Sequence, residues 1–256
     1  MVAECMEMAR GFCDSKTAPV GLSSKWPLES LIGGIIWMLR SGAQWRALPN
    51  DFPPRSTVHR WFQRLTQNGV FLDVLREWVS GFYSEFKPKD TCYVDGMFAE
   101  AKSGGDGVGK TKCGKGTKVM VITNDDLIPM AVQVESANPH ELTLLNLVLD
   151  SQILPECAIR RLVGDGAYDS DKHDAALRDQ RSIELLAPHK RNRVNRTQDG
   201  RKMKIYKRRH KVENLNAHLQ NYRRVVTRYE KKLSNFLGIL HLACWSIVFN
   251  KIYAVM

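Results

Sequence analysis

"TCYVDG", residues 91–96, marks the point where the pattern of the chain changes. Upstream, apolar residues recur at helical spacing. From here they come in short β-branched runs, continued by "TKVMVITN" (117–124) and "IPMAVQVES" (128–136). Such runs read as strands. Beyond them "HELTLLNLVLDSQI" (140–153) reads as helix, "IRRLVGD" (159–165) as strand, "SDKHDAALRDQ" (170–180) as helix and "IELLAPH" (183–189) as strand. The stretch "YKRRHKVENLNAHLQNYRRVVTRYEKK" (206–232) reads as one long helix. Three strands followed by alternating helix and strand give an α/β fold, a mixed five-stranded sheet with covered faces.

Before residue 91 the reading is helical. Leu28, Leu31, Ile32, Ile35, Ile36 and Leu39 form one stripe between Trp26 and Gln44, with Pro27 suited to a first turn. Ser56 or Thr57 is placed to cap a second helix carrying Val58, Trp61, Phe62 and Leu65. Asn68-Gly69 ends it, and Val70 to Phe86 forms a third. A helix, a turn and a helix bearing Arg55, His59, Arg60 and Arg64 suit a helix-turn-helix-like DNA reader as well as a plain bundle. The expected domains are 1–88, helical and DNA-binding, and 89–256, α/β.

The six cysteines are scattered without a C-x-x-C pair, which fits reduced thiols in the cytosol. The apolar run Phe236–Phe249 is short for a membrane span and includes His241, so a core helix and no membrane partner are expected. The net charge of +11 is uneven: Lys190–Lys232 holds 16 Lys and Arg against three acids, a local +13 that leaves −2 for the remainder. Such a block suits a polyanion, because neutralising phosphates releases their counterions.

Three acids stand in suggestive places. Asp95 and Asp165 each close an apolar strand beside glycine. On a helical wheel Val212, Leu215, Leu219 and Tyr222 share one face, and Tyr206, Arg209, Glu213, Asn216 and Gln220 form a stripe beside it. Converging carboxylates repel, and either raise their pKa values or bind hard cations such as Mg²⁺. Two such ions activate an attacking oxygen and stabilise a leaving one at a phosphodiester. The plainer alternatives are that Glu213 pairs with Arg209 one turn back, that Asp95 caps a turn, and that Asp169 or Asp171 is the relevant acid.

"YVDG" (93–96), "GKTKCGKGTKVMV" (109–121), "GDGAYDSD" (164–171), "ELLAPHKRNR" (184–193), "LSNFLGILHLACW" (233–245) and "GGIIWMLRSGAQWRALP" (33–49) together resemble bacterial insertion-sequence DDE transposases of the insertion-sequence five family. The resemblance runs from about residue 30 to the C-terminus. It implies an RNase H-like fold for the α/β domain, with Asp95, Asp165 and Glu213 as catalytic and metal-binding acids and Mg²⁺ or Mn²⁺, two ions, as cofactor. The family's Y(2)R(3)E(6)K pattern falls on Tyr206, Arg209 and Glu213, with Gln220 in place of the lysine. It further implies cleavage at element ends and strand transfer into target DNA, terminal inverted repeats as partners, a homodimer on DNA, and a cytoplasmic, nucleoid-associated bacterial protein. Candidate DNA contacts are Tyr206, Arg209, Lys190, Arg191, Arg193, Lys207, Arg208, Arg223, Arg224 and Arg228, with Arg60 and Arg64 in the helical region.

Two other functions compete. A catalytically inactive, transposase-derived DNA-binding protein would keep the basic surface without cutting. A P-loop NTPase is suggested by "GGDGVGKT" (104–111), but its phosphate loop must open a helix, and here a β-branched strand follows.

Overall fold

The computed structural model describes residues 25–86, 90–194 and 202–253. The expected domain division after residue 88 lies outside them. Along the chain run α1 (Leu28–Ser41), α2 (Arg55–Gln67), α3 (Val70–Phe86), β1 (Thr91–Ala101), β2 (Gly109–Thr111), β3 (Gly114–Asn124) and β4 (Pro129–Ser136). They are followed by α4 (Leu145–Asp150), β5 (Arg161–Val163), α5 (Asp171–Arg181), β6 (Glu184–Leu186), α6 (His210–Gln220), α7 (Arg223–Val226), β7 (Thr227–Arg228) and α8 (Leu233–Tyr253).

The chain folds as two compact units. The first contains residues 25–78, Glu100–Asp106 and 219–253. Its core gathers the α1 stripe from Leu31 to Leu39, Val58, Phe62 and Leu65 of α2, and Phe236, Leu240, Cys244 and Trp245 of α8, all buried. Leu31 and Leu39 have no exposed surface, as the helical spacing predicts. Pro27 stands at the N-cap of α1, not inside its first turn, and α2 begins after Pro54 with no side-chain cap from Ser56 or Thr57. Residues 42–54, with a 3₁₀ turn at Trp45–Ala47, connect α1 to α2, whereas Asn68-Gly69 alone join α2 to α3. The helix at Phe236–Phe249 is longer than the apolar run suggests: Leu233–Ile252 has the length and apolar character to cross a membrane, but 72% of its apolar window is buried inside the protein. That burial marks it as a core helix.

The second unit is the described part of Val79–Ala99 and Gly107–His218. The sheet has the order β2-β3-β1-β5-β6, with β4 on β3, and is mixed: β3–β4 is antiparallel, while β1–β5 and β5–β6 are parallel. It has seven strands where five were expected, because the three-residue β2 and the two-residue β7 are added at its margins. α4 packs on β3 and β4, and α5 on β6. Asp95 does not close its strand, since β1 continues to Ala101 after the buried run Thr91–Val94. "GKT" of the P-loop-like stretch is strand β2, not a helix start, so the geometry an NTPase requires is absent there.

The expected helix over 206–232 is broken. Lys202–Arg209 is 3₁₀, α6 ends at Gln220, and after α7 the chain is extended at β7, which pairs with Glu100 and Ala101. The β-branched run Val225-Val226-Thr227 weakens helix there. The ladder with β1 supplies backbone partners in its place.

Candidate active site

β1 and β5 are parallel neighbours in the register Cys92–Leu162 and Tyr93–Val163. Asp95 and Asp165 each follow the Tyr93–Val163 pair by two residues, so the sheet carries both acids to one level. Asp165 is the N-cap of a 3₁₀ turn, Gly166–Tyr168, and its Oδ1 accepts from the Ala167 N–H at 2.7 Å. Beneath the acids, Tyr93, Val163, Leu186 and Val212 form a buried cluster on which Ile205 and Tyr206 pack.

A third carboxylate is present that the sequence did not single out. Glu141 opens the 3₁₀ turn Glu141–Leu144, and its carboxylate lies against Gly96, where a Cβ would come within 2.6 Å of it. This gives the glycine of "VDG" a physical reason: it leaves room for an acid beside Asp95. The first glycine of "GDG" has a parallel one, because a Cβ on Gly164 would meet the Tyr168 ring at 2.6 Å. Tyr168, fully buried, donates through its hydroxyl to Glu141 Oε2 at 3.1 Å. The Lys118 Nζ stands 4.0 Å from the other Glu141 oxygen and donates to Pro139 O at 2.7 Å.

Burial pushes the Asp95 carboxyl up to about 6, reinforced by the negative charges of Glu141 and Asp165 and opposed by the Gly96 N–H and Arg209. Asn216, 8% exposed on α6, donates from Nδ2 to Asp95 Oδ2 at 3.1 Å. Its Oδ1 is buried and has no hydrogen-bond partner among the described residues. A buried acceptor left over beside a carboxylate calls for a cation or a water.

Glu213 lies one turn before Asn216 on α6, exposed, and bonds Arg209 one turn back. Among the described residues no three His, Cys, Asp or Glu side chains are grouped closely enough to hold a metal ion. The structure thus brings Asp95 and Asp165 together and holds Glu213 in its helical ion pair. The donors still suit a hard divalent cation in kind: carboxylate oxygens, mutual repulsion that positive charge would relieve, and the unpartnered Asn216 oxygen.

The basic segment divides. Lys190, Arg191, Lys207 and Arg223 are exposed, as is Arg60 of α2. Arg208 bonds Asp125, which also accepts from the Tyr93 hydroxyl. Arg193 is bonded to Asp169 and Asp171. Despite burial, Asp169 is held below the usual carboxylate range by the Lys190 N–H, His189 and Arg193, so Asp169 is a structural acid. Arg224 and Arg228 are corrections to the expected DNA contacts: each is 1% exposed. Arg224 bonds Glu230 and the Ala43 carbonyl, and Arg228 bonds the Asp106, Glu230 and Lys231 carbonyls. Buried guanidiniums with their donors spent inside the first unit are not available to a phosphate. The sequence counts charge but not its direction.

The family model "Transposase DDE domain" matches residues 87–248, and "Putative transposase of IS4/5 family" matches residues 8–75. The chain belongs to the DDE transposase family. The second match begins well before residue 30, where the sequence resemblance started. Over 86 residues the chain is 33% identical to "Putative transposase for insertion sequence element IS6501" of Brucella ovis, covering 34% of this chain and 65% of that protein. Over 143 residues it is 32% identical to the corresponding protein of element IS402 in Burkholderia cepacia, covering 53% of this chain and 64% of that protein. The chain therefore spans just under two thirds of these relatives. A piggyBac transposase in a synaptic complex with hairpin DNA shares the fold, with a TM-score of 0.58 at 10% identity over 99% of this chain and 74% of that one.

Proposed function

We propose that this DDE transposase cleaves DNA at the ends of its insertion element and transfers the freed strand into target DNA. The observation that carries the reading is the parallel register of β1 and β5, which brings Asp95 and Asp165 to one level, with Glu141 against Gly96 beside them. In the first step, water attacks the phosphodiester at the element boundary and a 3′-hydroxyl leaves. In the second, that hydroxyl attacks a target phosphodiester and the target 3′-oxygen leaves. Asp95 and Asp165 present their oxygens from β1 and the end of β5, and the Asn216 amide fixes the Asp95 rotamer. Glu213 turns from Arg209 to join them, and Arg209, released, meets the DNA backbone beside Tyr206. Mg²⁺ or Mn²⁺, as two ions, would polarise the phosphate and lower the pKa of the attacking water when bound by these acids.

The exposed Lys190, Arg191, Lys207, Arg223 and Arg60 suit contacts to terminal repeats and target DNA. Residues 1–88 would bind DNA and residues 89–256 cut it. A homodimer bringing two ends together, working in the bacterial cytoplasm, completes the reading.

A second reading has its own observation. Glu213 sits in an ion pair with Arg209 and is not grouped with Asp95 and Asp165 among the described residues, which suits a transposase-derived protein that binds DNA without cutting it. Labelled duplexes carrying the repeats that flank the gene separate the two, incubated with and without Mg²⁺ or Mn²⁺ with the parent and Asp95→Asn. Metal-dependent nicks at the repeat boundary from the parent alone, with binding retained in the variant, are expected. Binding without nicks from either protein would favour the second reading.

A further inference from the structure

The stretch that resembled a P-loop forms a hairpin whose charges are arranged against its own stability. β2 pairs antiparallel with the start of β3 in the register Gly109–Gly116, Lys110–Lys115 and Thr111–Gly114, and Lys112-Cys113 forms the two-residue loop. Lys110 and Lys115 are therefore directly opposite across the ladder, where like charges destabilise a hairpin. Lys112 adds a third cation at the tip. All three are exposed, and none has an ion-pair partner among the described residues.

The hairpin is nonetheless firmly built. The Thr111 hydroxyl donates to Gly114 O at 3.1 Å while its oxygen accepts from the Cys113 N–H at 3.1 Å. Gly114, with φ +110, takes a backbone conformation that side-chain-bearing residues rarely adopt. Gly116 leaves room for the Phe98 ring of β1, and Gly109 for the Asn138 side chain, so both glycines seat the hairpin on the second unit. They serve packing here and not a phosphate cradle. A fixed scaffold holding three uncompensated lysines breaks a local rule with no internal return, which is where function is expected.

We infer that the β2–β3 hairpin is a DNA-docking arm, on which Lys110, Lys112 and Lys115 each take a backbone phosphate of a duplex. The inference rests on the transposase reading for its partner. It relocates part of the electrostatic grip from the arginine-rich segment, whose Arg193, Arg224 and Arg228 are occupied within the protein, to a stretch outside that segment. Evenly placed lysines without donors aimed for base edges supply affinity and not sequence preference.

The test measures duplex binding by fluorescence anisotropy across a salt series, using the full chain, the triple variant K110Q/K112Q/K115Q and the rescue K110R/K112R/K115R. Losing three phosphate contacts lowers the slope of log affinity against log salt by about 2.7, at roughly 0.9 per contact. The arginine variant restores the slope. The glutamine variant melts no lower than the parent, because it removes repulsion and no native contact. Steep, salt-dependent binding by the parent with an unchanged slope in the glutamine variant would overturn the docking arm and leave the transposase reading intact. Absence of duplex binding by the parent would overturn both. With the same three proteins titrated onto anionic vesicles in parallel, a loss confined to the vesicles with duplex binding unaltered would assign the hairpin to a membrane surface and overturn the inference.

Discussion

Glu230 and Asp95 are both carboxylates withdrawn from water, in different units and with opposite surroundings. Glu230, 8% exposed, takes Nε and Nη2 of Arg224 on Oε1 at 2.8 and 2.6 Å. That guanidinium is stacked 5.5 Å from the Trp45 ring centre and 4.9 Å from that of Tyr229. Asp95 has one neutral amide donor from a side chain, Asn216, and its strongest charged neighbour is an acid, Glu141, ahead of Arg209 and Asp165. The first arrangement neutralises its charge within the fold. The second leaves negative charge for something outside the chain to neutralise. Buried charge that is paired with its opposite belongs to stability, and buried charge left in mutual repulsion belongs to a site.

Breaking the satisfied side has the largest effect on stability. Arg224→Met strands Glu230 without its counter-charge, and removing one partner of a buried pair costs about 3–5 kcal/mol. Denaturant unfolding of the variant checks this, and adding Glu230→Gln recovers most of the loss. A cost under about 1 kcal/mol for the single change would mean that Arg224 is not the centre of the first unit's polar core, and would reopen it as a DNA contact.

Breaking the repulsive side runs the other way. The Asp95 carboxyl rises from 3.8 to about 6 on folding, so the folded state binds its proton more tightly than the unfolded state does. Stability from this group is present at low pH and is lost as pH rises towards 6. Asp95→Asn therefore stabilises the metal-free protein at pH 7.5, by on the order of 2 kcal/mol after discounting for partial exposure. The gain shrinks as pH falls from 6 and is gone near 4. Thermal melts in chelator across this range measure it. A constant difference at every pH would remove the electrostatic explanation.

How much of this was legible in the sequence follows from the same contrast. The strand end expected at Asp95 is not there, since β1 runs on to Ala101, whereas the strands and the buried Val212–Leu215–Leu219–Tyr222 face were readable, because period is a local property. The α6 break was not, since β7 is fixed by a ladder with Glu100 and Ala101, more than a hundred residues earlier. The fates of Arg224 and Arg228 were hidden for a like reason: identity gives the charge, and only tertiary packing gives its partner. Glu141 was missed because it sits at a helix start, an ordinary place for an acid. The one local clue was Gly96, whose missing side chain makes its approach possible.

Gly96→Ala sharpens the comparison at moderate size. The added Cβ meets the end of the Glu141 side chain, which moves more readily than backbone, so a cost of about 1 kcal/mol is expected. Displaced from β1, Glu141 weakens its hold on Asp95, whose titration midpoint falls. Carboxyl chemical shifts followed by NMR against pH report both variant and parent. A drop in stability with the midpoint unmoved would make the Gly96 contact a matter of packing alone.

Glu141→Gln is the gentlest probe and asks which cause dominates at Asp95. The glutamine keeps the shape and the acceptor for the Tyr168 hydroxyl, and adds a donor beside Asp95. Stability then changes by less than about 1 kcal/mol, because the ion pair lost with Lys118 is a long one, 4.0 Å, and the repulsion relieved at Asp95 offsets it. Burial would still hold the Asp95 midpoint above the ordinary carboxylate value, and the loss of Glu141's charge would lower it from about 6. If the midpoint stays at 6, burial alone accounts for the shift and Glu141 lies outside the electrostatics of the site. If it falls, the third acid of this site in the metal-free protein is Glu141, with Glu213 held in its ion pair with Arg209.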